Sequence, residues 1–163
     1  MYMHLFRMGK TSQDAETARN NLPVLPCLCA NLRRATRAIT QRYERATLPV
    51  KLSASQMTIL QMLARTGELT QGRLAEMLAM DSTSLTRTLS IMTREGWLAL
   101  RRGKDRRERW IRLSRSGKQK LREAEPLWRR AQSEMRDALG AQDWNQLMQL
   151  AYRAAATKKG EKQ

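Results

Sequence analysis

A chain of 163 residues suffices for one domain with an ordinary buried core, and its charge is far from balanced: 31 Lys+Arg against 15 Asp+Glu give +16. Such an excess calls for a polyanionic partner, a nucleic acid or an anionic membrane surface. Aromatics are only 5% of the chain, which argues against a single-strand binder that stacks bases, and no apolar run reaches the roughly 18 residues of a membrane span.

Residues 1–22 show no sustained periodicity and read as a flexible extension. Pro23 and Pro26 bracket the start of the first strong helix, in which Leu28, Leu32, Ala35, Ile39, Tyr43 and Ala46 follow alternating spacings of three and four until Pro49 closes it. Ser53 and Gln56 then have the spacing of a capping box, and Met57, Leu60, Leu63 and Ala64 form one apolar face that ends at Gly67. Thr70 caps a short third helix carrying Leu74 and Leu78. Asp81 caps a fourth, with Leu85, Leu89 and Met92 facing inward and a stop at Gly96. Three short helices with a tight turn before the last form a helix-turn-helix pattern. Trp97–Arg101 and Arg109–Leu113 read as strands of a hairpin with Gly103 at its turn, and the sequence leaves the use of Trp110 open. From Ser114 a long helix runs to Leu139 with Leu121, Ala124, Trp128, Ala131, Met135 and Ala138 in a three-four seam; Pro126 is expected to kink it. After Gly140, Trp144, Leu147, Ala151 and Ala154 mark a last amphipathic helix, and the tail TKKGEKQ reads as disordered.

The fourth helix and the hairpin together carry the chemistry. With Leu85, Leu89 and Met92 inward, the opposite face presents Thr83, Arg87, Ser90 and Arg94, flanked by Ser82, Ser84 and Thr86. Short hydroxyls allow close approach to base edges and arginine bonds guanine or phosphate, so this face suits a DNA major groove. An ordinary solvated face is the alternative. The hairpin weighs against it: Arg101, Arg102, Lys104, Arg106, Arg107, Arg109 and Arg112 are interrupted only by Asp105 and Glu108. Edge-strand protection needs far fewer charges. Lys104, Arg106, Arg107 and Arg109 are the cations expected on DNA, with Asp105 holding one hairpin arginine in an ion pair.

The stretch LSASQMTILQML resembles the second helix of the MarR family of bacterial transcriptional regulators, and TQGRLAEMLAMDSTSLTRTLSIMTREGWL resembles its helix-turn-helix. KDRRERWIRLSRSGKQKL resembles the family's wing, with Asp105 and Arg107 at its Asp and Arg positions and Ser114 and Gly117 opening the next helix. Arg106 stands where many relatives have proline. The resemblance implies a mainly α fold with a small β-hairpin wing: a winged helix-turn-helix plus a helical dimerisation region. Residues 23–52 and 114–156 would form that dimerisation region, 53–113 the DNA-binding region, and 157–163 a flexible tail. A homodimer is the implied assembly, and the two helical seams support it, with packing inside one chain as the alternative.

No enzyme is indicated. The only histidine, His4, lies in the N-terminal arm, and P-loop, H-E-x-x-H and G-x-G-x-x-G motifs are absent, so no catalytic residue, metal or cofactor is expected. Cys27 and Cys29 are too few and too close for a secreted disulfide framework, which with the lack of a signal-peptide core suggests the cytoplasm. Both lie where the first helix begins, and the positive end of a helix lowers a thiol's pKa. Three roles stay open for them: small packing residues, redox sensors as in some relatives, and, as a poor third, metal ligands. The family resemblance further implies a cleft for a small-molecule effector of unknown identity; Arg33, Arg34 and Arg37 on the first helix are open to three readings, as contacts for an anionic ligand, as a solvated face, or as contacts to the DNA backbone. The expected function is sequence-specific binding of double-stranded DNA, with repression favoured because a compact dimer on an operator blocks polymerase. A non-specific DNA-packaging protein is the rival.

Overall fold

The computed structural model describes residues 26–103, 105 and 108–156. The N-terminal arm with His4 and the tail from residue 157 lie outside them. The chain divides into two units, the described part of the first comprising residues 26–39 and the second beginning at Thr40.

Helix α1 (Leu28–Thr47) starts where the Cys27 carbonyl accepts from both the backbone and the side-chain nitrogen of Asn31, each at 3.1 Å. It ends at Thr47, whose buried hydroxyl donates to the Leu52 carbonyl at 2.6 Å and so ties the helix end to the next segment. A 3-10 turn at Leu48–Val50 follows, with Pro49 at its start. Helix α2 (Ala54–Thr66) carries the expected capping box: the Ser53 hydroxyl accepts from Gln56 N at 3.2 Å, and the Gln56 side chain accepts from Ser53 N at 2.9 Å. Gly67, at φ 81°, terminates it. Helix α3 (Gln71–Met77) is capped by Thr70, α4 (Ser82–Arg94) by Asp81, and the long α5 (Arg115–Leu139) by Ser114; α6 (Ala141–Ala156) follows Gly140. Helix α5 continues through Pro126.

The sheet departs from the sequence reading. Strands β2 (Leu98–Arg102) and β3 (Arg109–Leu113) form the hairpin, but a third strand, β1 (Leu69–Thr70), pairs antiparallel with β3, giving the order β1-β3-β2. Two residues are too short to show a period of two, so β1 left no trace in the pattern. β2 also begins one residue later than its hydrophobic run suggests, at Leu98, leaving Trp97 between the turn at Glu95–Gly96 and the strand.

The core lies between α2, α4, the sheet and the start of α5. Met57, Leu60, Leu63, Leu74, Leu85, Met92 and Ile111 are fully buried there. Burying each such side chain contributes about 1.5–3 kcal/mol. The α5 seam, expected to await a partner chain, is partly used at home. Ala124 and Ala131 are buried, and Trp128 stacks on Tyr43 with ring centroids 4.3 Å apart. Among the exposed large apolar side chains are Leu147, Met148, Leu150 and Tyr152 on α6, and Leu28 and Leu32 early in α1.

Candidate nucleic-acid interface

Helix α4 is fixed before it is functional. The Asp81 carboxylate accepts from Ser84 N at 2.8 Å, and that backbone bond holds the carboxyl below the usual carboxylate range. Leu85 and Met92 are wholly buried and Leu89 nearly so, which sets the rotation of the helix. The opposite face is therefore presented outward. Ser82, Thr83, Thr86, Arg87, Ser90 and Arg94, all exposed, line one open concave surface together with Ile91. Ser84 is exposed but is not part of that surface; its backbone serves the cap and its carbonyl accepts from Thr88.

Thr86 is less free than its position suggested. Its hydroxyl donates to the Ser82 carbonyl at 2.7 Å and accepts from Gln71 Nε2 at 2.8 Å. Gln71, the first residue of α3, was not singled out in the sequence, because a single amide at a helix start carries no periodic signal. Its only clue was its place beside the Thr70 cap. Gln71 also lines an adjoining cleft with Ser90 and Arg94 of α4 and Arg109 of β3, so the helix face and the wing's base form one surface.

The wing itself hangs on a network that begins outside the hairpin. The Arg101 guanidinium grips Glu68 through two bonds, Nε to Oε1 at 2.8 Å and Nη2 to Oε2 at 2.6 Å. Its far face lies 4.8 Å from the Trp110 ring centroid, and Trp110 Nε1 donates to Glu108 Oε2 at 3.3 Å. This answers what Trp110 does: it is the platform between a committed arginine and Glu108. It also removes Arg101 from the cations free for DNA. The Arg101 pair holds the Glu68 carboxyl below its usual range and pushes the Arg101 guanidinium up. Gly103 N donates to the Glu108 carbonyl at 2.9 Å, and a Cβ at Gly103 would lie 2.9 Å from Glu108 Cβ, so a larger residue where the hairpin begins to turn would displace Glu108. Arg109 and Asp105 are exposed. Lys104, Arg106 and Arg107 lie outside the described residues, as do the contacts expected between them and Asp105.

The root of the wing is tied to α5. Ser114 N donates to the Trp97 carbonyl at 3.0 Å, the Ser114 hydroxyl to the Gly96 carbonyl at 2.6 Å, and Gly117 N to Ser114 Oγ at 3.0 Å. Gly117 sits so close to Trp97 that a Cβ there would lie 2.0 Å from the Trp97 oxygen.

Cys27 and Cys29 are free and exposed, Cys27 just ahead of α1 and Cys29 in its first turn. Among the described residues no three His, Cys, Asp or Glu side chains gather as a metal site, and no helix is long and apolar enough to cross a membrane. Arg33 and Arg37 are exposed on the first half of α1 and Arg34 is half-buried.

Residues 50–108, from the end of the 3-10 turn to the residue before β3, match the model of the MarR family. The transcriptional regulator MosR of M. tuberculosis, crystallised in complex with DNA, is 32% identical, with a TM-score of 0.73 over 79% of this chain and 93% of that one. An HTH-type transcriptional regulator of Bacillus subtilis, YwoH, itself uncharacterized, is 27% identical over 96 residues, 59% of this chain and 70% of its own length. A cysteine-to-serine mutant of MarR from E. coli, complexed with operator DNA, shares the fold at 19% identity and a TM-score of 0.70, over 78% of this chain and 92% of that one. The chain belongs to the MarR family of winged helix-turn-helix transcriptional regulators, a family of regulators rather than of enzymes.

Proposed function

We propose that this protein is a sequence-specific regulator that binds double-stranded DNA as a homodimer on a pseudo-palindromic operator in the cytoplasm, and that it represses by occupying that operator. The observation that carries the reading is the outward face of α4, where Thr83, Arg87, Ser90 and Arg94 stand beside a wing base bearing Arg109. Hydroxyls and guanidiniums at this spacing suit base edges and the phosphates beside them. The similar regulator MosR, crystallised in complex with DNA, supports DNA as the partner. Dimerisation is supported by exposed apolar side chains that a monomer leaves in water, Met148 at 56%, Leu150 at 58% and Tyr152 at 76% exposure on α6. Two recognition helices related by a twofold axis would meet half-sites about 10 bp apart.

Competition binding separates this reading from a packaging role. A regulator selects its operator over random duplex by about 10³ or more, whereas a packaging protein shows little preference. Sedimentation completes the test, since a monomer at micromolar concentration that holds one half-site tightly is incompatible with the dimer.

A further inference from the structure

Thr86 stands in the middle of the outward face of α4, with Ser82, Thr83 and Ser90 as its neighbours one helical turn away, and it lines the open concave surface of that face. A threonine side chain can offer a groove either of two groups, a hydroxyl or a methyl. In this protein the hydroxyl is already committed. It carries one proton, and that proton goes to the Ser82 carbonyl at 2.7 Å. Gln71, on α3, donates from Nε2 to the same hydroxyl oxygen at 2.8 Å. The amide must present its nitrogen here, because its oxygen would face a second acceptor with no proton between them.

Both bonds draw Oγ1 back against the helix backbone and the Gln71 amide. Thr86 is nevertheless exposed, and the side-chain group left uncommitted is the Cγ2 methyl. A hydroxyl adapts to any base edge that offers a donor or an acceptor, and a methyl does not. In the major groove it gains where it meets another apolar group, and the apolar group on the base edges there is the C5 methyl of thymine. Against the polar edges of the other bases it would displace water and return no hydrogen bond.

We propose that Thr86 reads a thymine methyl at one position of each half-site, and that Gln71 is the positioning residue that keeps its hydroxyl turned away from the groove. The proposal rests on the reading of α4 as the groove-facing helix, and adds to it a base preference and a residue outside that helix which sets it.

The test uses the full chain and the duplex that it selects from a random pool. Each thymine of that duplex is replaced in turn by deoxyuridine, which removes the C5 methyl and keeps every hydrogen-bonding group. One replacement per half-site should weaken binding about three- to fivefold, the loss expected for one buried methyl. In Thr86→Ser the ratio of thymine to uracil affinity at that position should vanish. In Gln71→Ala it should shrink, because Thr86 is released to turn its hydroxyl outward. Thr86→Val in the Gln71→Ala background should restore it, since both branches of valine are methyls. The ratio is the readout, and a general loss of stability or affinity does not move it. Equal affinity for thymine and uracil at every position, in a parent that still selects its duplex, would overturn the methyl contact and leave the operator reading intact. A ratio that survives Thr86→Ser would overturn Thr86 as the reader, and one indifferent to Gln71→Ala would overturn the positioning role. A parent that selects no duplex would remove the operator reading and this proposal together.

Discussion

Replacing Gly117 by alanine isolates the contact that joins the wing to α5. Helix propensity alone favours the change, since alanine exceeds glycine by about 1 kcal/mol inside a helix. Packing opposes it. The new Cβ would lie 2.0 Å from the Trp97 carbonyl oxygen, and the obstructing atom is backbone, not the tip of a flexible side chain. Reaching the 3.0 Å below which such contacts are essentially never seen requires a retreat of at least about 1 Å. Overpacking of this kind costs about 1–3 kcal/mol, occasionally more, and the Ser114–Trp97 backbone bond, worth about 1 kcal/mol, lies on the same carbonyl. After subtracting the propensity gain, Gly117→Ala should destabilise by about 1–3 kcal/mol, or roughly 3–10 °C in Tm for a chain of this size. Urea unfolding measures the first quantity and thermal melting the second. DNA affinity, followed by fluorescence anisotropy, should fall as well, because the displaced carbonyl belongs to Trp97, from which β2 departs. A variant as stable as the parent, or more stable, would refute the reasoning, since propensity would then have outweighed the contact.

Glu68→Gln should lower stability at neutral pH. Because Arg101 depresses the folded pKa of Glu68, the stabilisation is fully present above the ordinary glutamate value of about 4.3 and disappears as pH falls through the depressed one. Melting curves of parent and variant should accordingly converge in acid; a gap that persists there would mean that the carboxylate charge is not what braces the wing. Arg87→Ala should alter base preference and cost about 1–3 kcal/mol at one operator position, whereas Arg107→Ala should weaken binding across many sequences, most where the minor groove is narrow. Selection from random duplexes distinguishes the two, and variants that both bind like the parent would place the DNA face elsewhere. For Cys27 and Cys29, peroxide should reduce operator affinity in the parent and less so in Cys27→Ser and Cys29→Ser, because both exposed thiols sit at the start of α1. Parent affinity that is indifferent to peroxide while both thiols remain free would exclude them as sensors.

The helices were legible because their signals are local. Ser53, Thr70, Asp81 and Ser114 each announce a helix start within four residues, and the three-four rhythm of Leu85, Leu89 and Met92 sets the outward face of α4 without reference to the rest of the chain. What escaped was long-range pairing. Glu68 and Arg101 are 33 residues apart, and nothing in either neighbourhood marks them as partners. The same holds for Gln71 and Thr86, where an amide from one helix occupies a hydroxyl counted as free on another. The α5 seam was recognised as apolar, but periodicity cannot say whose surface covers it; Tyr43 covers Trp128 within the chain. Gly117 was noted through family likeness, while its physical cause, the approach of Trp97, belongs to tertiary structure.

Helix α5 has a mechanical consequence. Its 25 residues make a rod about 37 Å long, pinned at one end by the hydrogen bonds at Gly96 and Trp97 and followed at the other by Gly140, at φ 82°. A tilt of only about 3° about the far end moves the pinned end by about 2 Å, the scale of the helix shifts through which packed proteins switch. Angle is thus converted into distance at the root of the wing. The conversion is weakest at Pro126, near the middle of the rod, where one backbone donor is missing and bending stiffness is lowest. The composition of that single turn therefore sets how much of a movement at α6 arrives at the wing and how much is absorbed as flexure.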